Sequence, residues 1–449
     1  MGDFKISKGY TVPAKGEAAE EITDAKHPPF VGVCPNDFRG LKPKLAVAVN
    51  DEVKVGSPLF FDKKNPELVF LSPAGGRVTA INYGPRRVIE EIIIATNDTY
   101  EHEIFEKHTP AQISKVTRET LIQKLLAGGV WPYLRRRPYN KIADYNVQPK
   151  GIFVNCMATA PLAPQPSYFL ADNKADFEAG VEALKVLCDK VHVVTDGNDG
   201  KAELFRGVQG VQQHRFTGKH PAGLVGTHIT HIDPLNKGET VWVIDAANLV
   251  MIGRFLTSGR YPIERTVALA GNGLTKTGYV RTQVGAKLAD LTEGRLAGGE
   301  NRFISGDMLS GNQRAAERPI GFYDTLATVL PEGREQHFLG WMNPGFSLPS
   351  FTRAFVSGFL PGKYNLNTNI NGGRRAIVVS GNYDSVVALD IHAEFLVKAT
   401  LANDIEQMEQ LGILECDPED FGLATYVCPS KTEVSRIIAE GLELMEKEG

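Results

Sequence analysis

Residues 131–141, WPYLRRRPYNK, set three consecutive arginines among aromatic rings, the most unusual local composition in the 449-residue sequence. Guanidinium planes and aromatic faces together hold flat, electron-poor rings, and the arginine fork also binds the phosphates of a flavin nucleotide. The same composition equally describes a solvated turn whose arginines pair with some of the chain's 53 acids. A second stretch, GKHPAGLVGTHITHIDP at residues 218–234, follows His214 and brings His220, His228, His231 and Asp233 close in sequence. Metal centres need ligands whose spacing converges on one point. Here the Gly and Pro content predicts a loop, and His228 and His231 have no glutamate placed as in a zincin. Structural or substrate-contacting histidines fit this pattern better than a metal centre.

Residues 53–80, VKVGSPLFFDKKNPELVFLSPAGGRVTA, resemble one half of a lipoyl- or biotin-carrying domain, whose hairpin tip offers a lysine to the prosthetic group. With Ser72, Pro73 and Gly76 in the carrier register, Asn65 takes the tip and neither Lys63 nor Lys64 does. Asn65-Pro66 makes a good turn, so the scaffold is kept without its arm. The glycine loop LAGNGLTKTG fails in a similar way. Gly271 and Gly273 lack a third glycine because Lys276 stands there, and Gly278 is followed by Tyr279-Val280 in place of a Walker Lys-Ser/Thr. A turn between two strands is expected. No G-x-S-x-G occurs, Cys156 lies in an apolar run where a thiol is inert, and the five scattered cysteines form no C-x-x-C pair. Nucleophilic triads, zinc ribbons and iron–sulfur clusters are therefore not signalled.

The elements that must position these residues are legible in outline. From residue 4 to about 94, short β-prone runs alternate with turn signals, which predicts a small barrel-like sandwich of hairpins. RETLIQKLLAGGVWPYL places Leu121 and Leu125 at helical spacing before a Gly-Gly stop. GIFVNCMA reads as a buried strand, and ADFEAGVEALKVLCDKVHVVTD as helix then strand, which together imply a parallel, Rossmann-like sheet. ERTVALAGNGLTKTGYVRTQVGAKLADLTEG has the strand–turn–strand–helix order of a β-grasp unit. The tail from about residue 387 to 449 is acidic and predicted helical. The expected fold is thus α+β and multidomain: a barrel-sandwich hybrid at 1–100, a Rossmann-like α/β domain at 101–255, a β-grasp domain at 256–335 and a mostly helical domain at 336–449. At 42% hydrophobic and 23% charged, with net charge −4, the composition is globular and lacks the basic face that nucleic acid requires. There is no apolar leader, Ile6 breaks the myristoylation pattern, and no run suits a membrane span, so a soluble cytoplasmic chain is expected.

Several long strings are more specific than any of these motifs. FEKHTP, ETLIQKLLAGGVWPYLRRRPYNKIA, GKHPAGLVGTHITHIDP, ISGDMLSG, HFLGWMNPG and YVCPSKTEVSRIIAEGLELMEKEG resemble the A subunit of the bacterial sodium-translocating NADH:quinone oxidoreductases, as does VNDEVKVGSPLFFDKKNPELVFLSPAGGRV. The resemblance spans essentially the whole chain. It implies a peripheral subunit on the cytoplasmic face of a six-subunit membrane complex that passes electrons from NADH to a quinone and exports Na+. It also implies a fold related to the NADH- and flavin-binding subunit of respiratory complex I, with the β-grasp unit of soluble-ligand-binding type. By the same resemblance this chain carries no covalent cofactor and is inactive alone, whereas NADH, FMN, FAD, riboflavin and iron–sulfur chemistry belong to partner subunits. Its own substrate contact is a quinone, ubiquinone or menaquinone, beside the membrane-embedded B subunit; the rival is a subunit that only braces that partner.

Two segments match the family's quinone-proximal regions. FVGVCPNDFRGLKP brings Asp37, Phe38, Arg39 and Leu41, and LRRRPYNK brings Arg135, Arg137, Pro138 and Tyr139. Cys34-Pro35 departs from the family's more usual acidic or glycine residues. A quinone needs a flat apolar slot and donors to its carbonyls. Phe38 and Tyr139 are expected to supply the slot, and Arg39, Arg137 or the Tyr139 hydroxyl the donors. His220 and His228 are possible loop contacts, and no residue is expected to be catalytic or to bind metal.

Overall fold

Long apolar runs bounded by turns dictate the central layer. Strands Ile152–Cys156, Val191–Asp196 and Val241–Asp245 are buried almost end to end, as strands covered on both faces must be. The computed structural model describes residues 2–97, 101–335, 340–360 and 362–449. It places these strands in a seven-stranded sheet ordered Gly2–Ile6, Gln212–Gly218, Val191–Asp196, Ile152–Cys156, Val241–Asp245, Arg135–Arg137 and Lys141–Ile142. The first five run parallel and the last two close the edge antiparallel. Chain order therefore reverses between Ile152–Cys156 and Val241–Asp245. Their following loops diverge, and a crevice opens beyond their carboxyl ends.

Helices Lys174–Leu187 and Ala246–Ser258 pack against each other on this sheet, and two glycines let their backbones meet. A Cβ on Gly180 would lie 2.7 Å from the Leu249 carbonyl oxygen, and one on Gly253 1.8 Å from that of Asp176. Around this core sit three further units. A six-stranded sheet holds the antiparallel pair Glu264–Ala270 and Gly278–Gln283, with Leu326–Pro331 parallel to the first. The glycine loop is the connection between that antiparallel pair.

The N-terminal β-unit has a four-stranded sheet centred on Gly76–Tyr83 and Ile89–Thr96 and a three-stranded sheet centred on Pro58–Asp62. Its hairpin turns at Asn65, whose N–H donates to the Asp62 carbonyl at 3.1 Å. The Tyr145 hydroxyl lies 2.6 Å from Asn65 Oδ1 and 2.8 Å from Glu67 Oε2, so the tip is tied down where a carrier's would swing. Last, helices Ala393–Leu401, Ile405–Gln410, Gly422–Val427 and Val434–Glu448 enclose their own core around Leu396, Met408, Phe421 and Leu442. No helix among the described residues is long and apolar enough to cross a membrane.

Three expectations need correction. The first strands do not join the N-terminal β-unit: Gly2–Ile6 extends the seven-stranded sheet beside Gln212–Gly218, and Ile22–Asp24 extends the six-stranded sheet beside Gly278–Gln283. An edge strand needs only one neighbour's ladder, and its own pattern does not say whose. The predicted loop at 218–234 contains the helix Val225–Ile232. Pro221 and Gly223 precede it, while Val225, His228, Ile229 and Ile232 repeat at helical spacing. In the last unit the α-helices begin only at Asn382 among the described residues, because the prolines and glycines of 343–362 interrupt helix. Of the HFLGWMNPG stretch, residues 337–339 lie outside the described residues.

Candidate functional site

The crevice at the strand-order reversal widens into a cleft of about 1110 Å³ to which all four units contribute. Asn155, Met157 and Asp245 form its floor at the strand ends, and the loop Gly223–Val225 lies beside them. Gly306, Asp307, Phe322 and Tyr323 come from the six-stranded unit, Asp37 and Arg39 from the N-terminal β-unit, and Asp417 and Glu419 from the helical tail.

Asp245 ends its strand and precedes helix Ala246–Ser258, yet its side chain caps no helix N–H. It pairs instead with Arg135, Nη2 to Oδ2 at 3.0 Å, and the Arg135 guanidinium lies 4.8 Å from the centre of the Tyr323 ring. Burial opposes the charge on Arg135, but Asp245 and Glu419 outweigh it and hold the guanidinium pKa above its ordinary value. Arg137, on the same short strand, is buried and clamped by Asp417 at 3.0 Å and Glu419 at 2.5 Å. Both carboxylates come from the sequence DPED, a capping box in which the Asp417 N–H donates to Asp420 Oδ2 at 2.8 Å. Asp420 is buried, which pushes its carboxyl up to about 8, and its Oδ1 approaches the backbone at Gly226.

Arg39 bridges the two predicted segments. Its Nη1 donates to the Tyr139 carbonyl at 3.0 Å and pairs with Asp417 at 3.3 Å, with its side chain still 39% exposed. Asp37 is ion-paired with Arg314 and accepts the Phe322 N–H at 2.9 Å; burial nonetheless holds its carboxyl above the usual range. Arg137 and Pro138 are joined by a cis peptide bond, and Tyr139 follows at φ 77.

The structure thus brings Asp37, Arg39 and Arg135 to one cleft and parts the rest. Phe38 is buried in an aromatic cluster, 4.4 Å from Phe70 and 4.8 Å from Phe322 between ring centres, with half-buried Leu41 packed on the same core. Tyr139 packs on the helical tail's core. These two rings therefore form no common slot, and among the described residues the aromatic rings lining the cleft are those of Phe169, Phe322 and Tyr323. Arg137 is no open donor, since its carboxylates hold it. His220 Nδ1 lies 3.2 Å from Thr159 Oγ1, and His228 Nε2 lies 2.9 Å from the Ala222 carbonyl. Burial drives these imidazoles down to about 4 and about 3. His214 pairs with His192 at 3.1 Å and His231 Nδ1 lies 2.8 Å from the Thr227 carbonyl, so each histidine of this group has its own partner.

Sequence reasoning missed Asp245, Asp417, Glu419, Phe322 and Tyr323. Asp245 carried a readable signal, a polar residue closing the apolar strand VWVID. So did DPED, a helix-start signature. Nothing local marked Phe322 and Tyr323.

Comparison with known proteins adds an independent finding. Residues 4–97 match the NqrA N-terminal barrel-sandwich hybrid domain, 116–261 the NqrA second alpha/beta domain, and 266–316 the NQRA C-terminal domain. The chain is similar to the A subunit of the Na(+)-translocating NADH-quinone reductase of Hahella chejuensis, at 39% identity over 99% of this chain and 100% of that one. It is equally similar to the protein of the same name from Photorhabdus laumondii, at 39% identity with the same coverage. Among solved structures, an NAD+-reducing nickel–iron hydrogenase overlaps 52% of each chain at 13% identity and a TM-score of 0.34.

Proposed function

The chain belongs to the NqrA family, the A subunits of the Na(+)-translocating NADH-quinone reductases, and from that premise we propose that its central cleft binds the quinone of the complex. The observation that carries this reading is Arg39. It joins the segment of Asp37–Phe38 to that of Arg135–Tyr139, borders the cleft, and keeps part of its guanidinium exposed. Phe322 and Tyr323 stand edge to face, 5.1 Å between ring centres at 86°, so a quinone meets the face of one ring and the edge of the other, and Arg39 donates to one carbonyl. Arg135, stacked under Tyr323, fixes that ring. This chain makes and breaks no bond; NADH, the flavins and the iron–sulfur centre belong to partner subunits of a six-subunit complex. The α/β unit is read as Rossmann-like and the six-stranded unit as a β-grasp, in a fold related to the complex I subunit that binds NADH and flavin. The four units follow the bounds 1–100, 101–255, 256–335 and 336–449, less the two N-terminal strands. The chain sits on the cytoplasmic face beside the membrane-embedded B subunit.

The test is a titration of the purified chain with short-chain ubiquinone and menaquinone analogues, read by intrinsic fluorescence. Arg39→Gln removes one charge-assisted donor and is expected to weaken binding about tenfold, roughly 1.4 kcal/mol. If neither Arg39→Gln nor Tyr323→Leu changes the affinity, the quinone does not use this cleft. One observation favours the bracing alternative: the cleft's charges largely satisfy one another across units, Arg137 with Asp417 and Arg314 with Asp37. On that reading no analogue binds, while a C-terminally tagged chain still draws down sodium-stimulated NADH:quinone reductase activity from detergent-extracted membranes.

A further inference from the structure

Residues 340–381 stand apart from the rest of the chain in charge. They contain Arg353, Lys363, Arg374 and Arg375 and no Asp or Glu, in a protein of net charge −4. They also concentrate exposed apolar side chains: Phe359 is 71% exposed, Met342 and Phe346 64%, and Leu360 51%.

This exposure is held by the fold of the loop. The Val356 N–H donates to the Pro344 carbonyl at 2.9 Å, the Ser357 hydroxyl to the Leu348 carbonyl, and the Tyr364 hydroxyl to the Ser357 carbonyl at 3.0 Å. The closed loop is pinned to the body where Phe351 meets Tyr10 edge-on at 5.3 Å. Backbone bonds also run from the Lys15 N–H to Tyr364 and from the Tyr364 N–H to Pro13. Such a compact, self-bonded loop fixes which side chains point out. Lys363 and Arg374 carry exposed ion pairs with Glu17 and Glu433, which contribute little and leave both cations at the surface.

We propose that this loop rests on the anionic surface of a lipid bilayer, with Phe346, Phe359, Leu360 and Met342 in the interfacial zone and the arginines and lysine at the headgroups. Charge complementarity joins here with exposed apolar side chains. Exposed aromatic and aliphatic side chains on a self-bonded loop whose own sequence carries four cations and no carboxylate match what interfacial segments present to anionic lipid. The nearby Glu17 and Glu433 are engaged with Lys363 and Arg374. The idea rests on the family reading only in placing a membrane within reach, because no helix among the described residues crosses one.

The test is flotation of the full-length chain with vesicles of phosphatidylcholine alone and with vesicles containing an equal share of phosphatidylglycerol. The chain is expected to float with the anionic vesicles, less with the neutral ones, and less again as salt rises. F346S combined with F359S is expected to reduce the floated fraction's apparent affinity at least about tenfold. Both side chains are exposed, so circular dichroism of the variant should match the parent and separate binding from folding. R353E combined with R375E should remove the preference for anionic vesicles. A parent chain that stays unbound with anionic vesicles, or a double serine variant that floats as well as the parent, overturns the proposal. So does a third outcome, no flotation by the parent together with loss of the other subunits from pull-downs of the serine variant, which would assign the loop to a protein partner. No quinone enters the assay, so its failure is distinct from failure of the cleft reading.

Discussion

At the scale of single residues, the histidines show how burial replaces chemistry. His228 donates its Nε2–H to the Ala222 carbonyl inside a fully buried site, and desolvation of the charged ring lowers its pKa to about 3. In the unfolded chain the same ring takes up a proton near pH 6.5. Between those values the unfolded state binds the extra proton, so His228 stabilises the fold above about 6.5 and that contribution is lost as pH falls toward 3. His220 acts in the same sense, whereas Asp420, raised to about 8, acts oppositely by holding a proton in the folded state. The sign is isolated by comparison. Between pH 6.5 and 5, urea unfolding of His228→Gln should lose stability with falling pH less steeply than the parent, by about 1.4 kcal/mol per pH unit. Equal slopes would mean that His228 titrates normally. The sequence showed these histidines as a group without metal spacing, and the geometry disperses them to separate partners. The carboxylates clamping Arg137 were illegible for a plain reason: Asp417 and Glu419 lie far along the chain, and no local pattern in RRRP specifies them.

At the scale of elements, the helix pair on the central sheet sets a steric condition. Gly253 lets its helix approach the Asp176 carbonyl so closely that any β-carbon collides with backbone, which has no rotamer with which to yield. Gly253→Val is therefore expected to cost at least about 2 kcal/mol in urea unfolding. Gly298→Ala, with open space around the position, should fall within about 0.5 kcal/mol of the parent. Similar values for the two would remove close packing as the reason for Gly253. Strand Ile152–Cys156, helix Lys174–Leu187 and strand Val191–Asp196 were legible because each carries a long, consistent period. Helix Val225–Ile232 was hidden by the Gly and Pro just before it, which marked its start and were read as a loop.

At the scale of the molecule, the cleft exists because four units meet there, and its ion pairs are the joints. Arg137 reaches from the seven-stranded sheet to the tail, Arg39 from the N-terminal β-unit to the same Asp417, and Arg314 from the six-stranded sheet to Asp37. Removing one member of a buried pair strands the other's charge, which costs about 3–5 kcal/mol. Arg137→Ala should thus raise amide hydrogen exchange in residues 417–427 and in strand Arg135–Arg137 together, with Lys174–Leu187 little changed. Exchange confined to the mutated strand would show the tail docking by other means. This convergence is the part of the site that sequence reasoning reached least, since each joint pairs residues from different units.

The two N-terminal strands bear on how the chain is made. Gly2–Ile6 lies parallel to Gln212–Gly218, and Ile22–Asp24 to residues of Gly278–Gln283. These two strands therefore find their partners only after ~200 more residues have been synthesised, roughly 10–40 s at ~5–20 residues per second. During that interval the amino-terminal segment is a tether without a dock, while the β-unit that follows it can already close on itself. Sheet assembly thus takes up a segment made long before its partners, which is then sealed into the outer edges of two separate sheets.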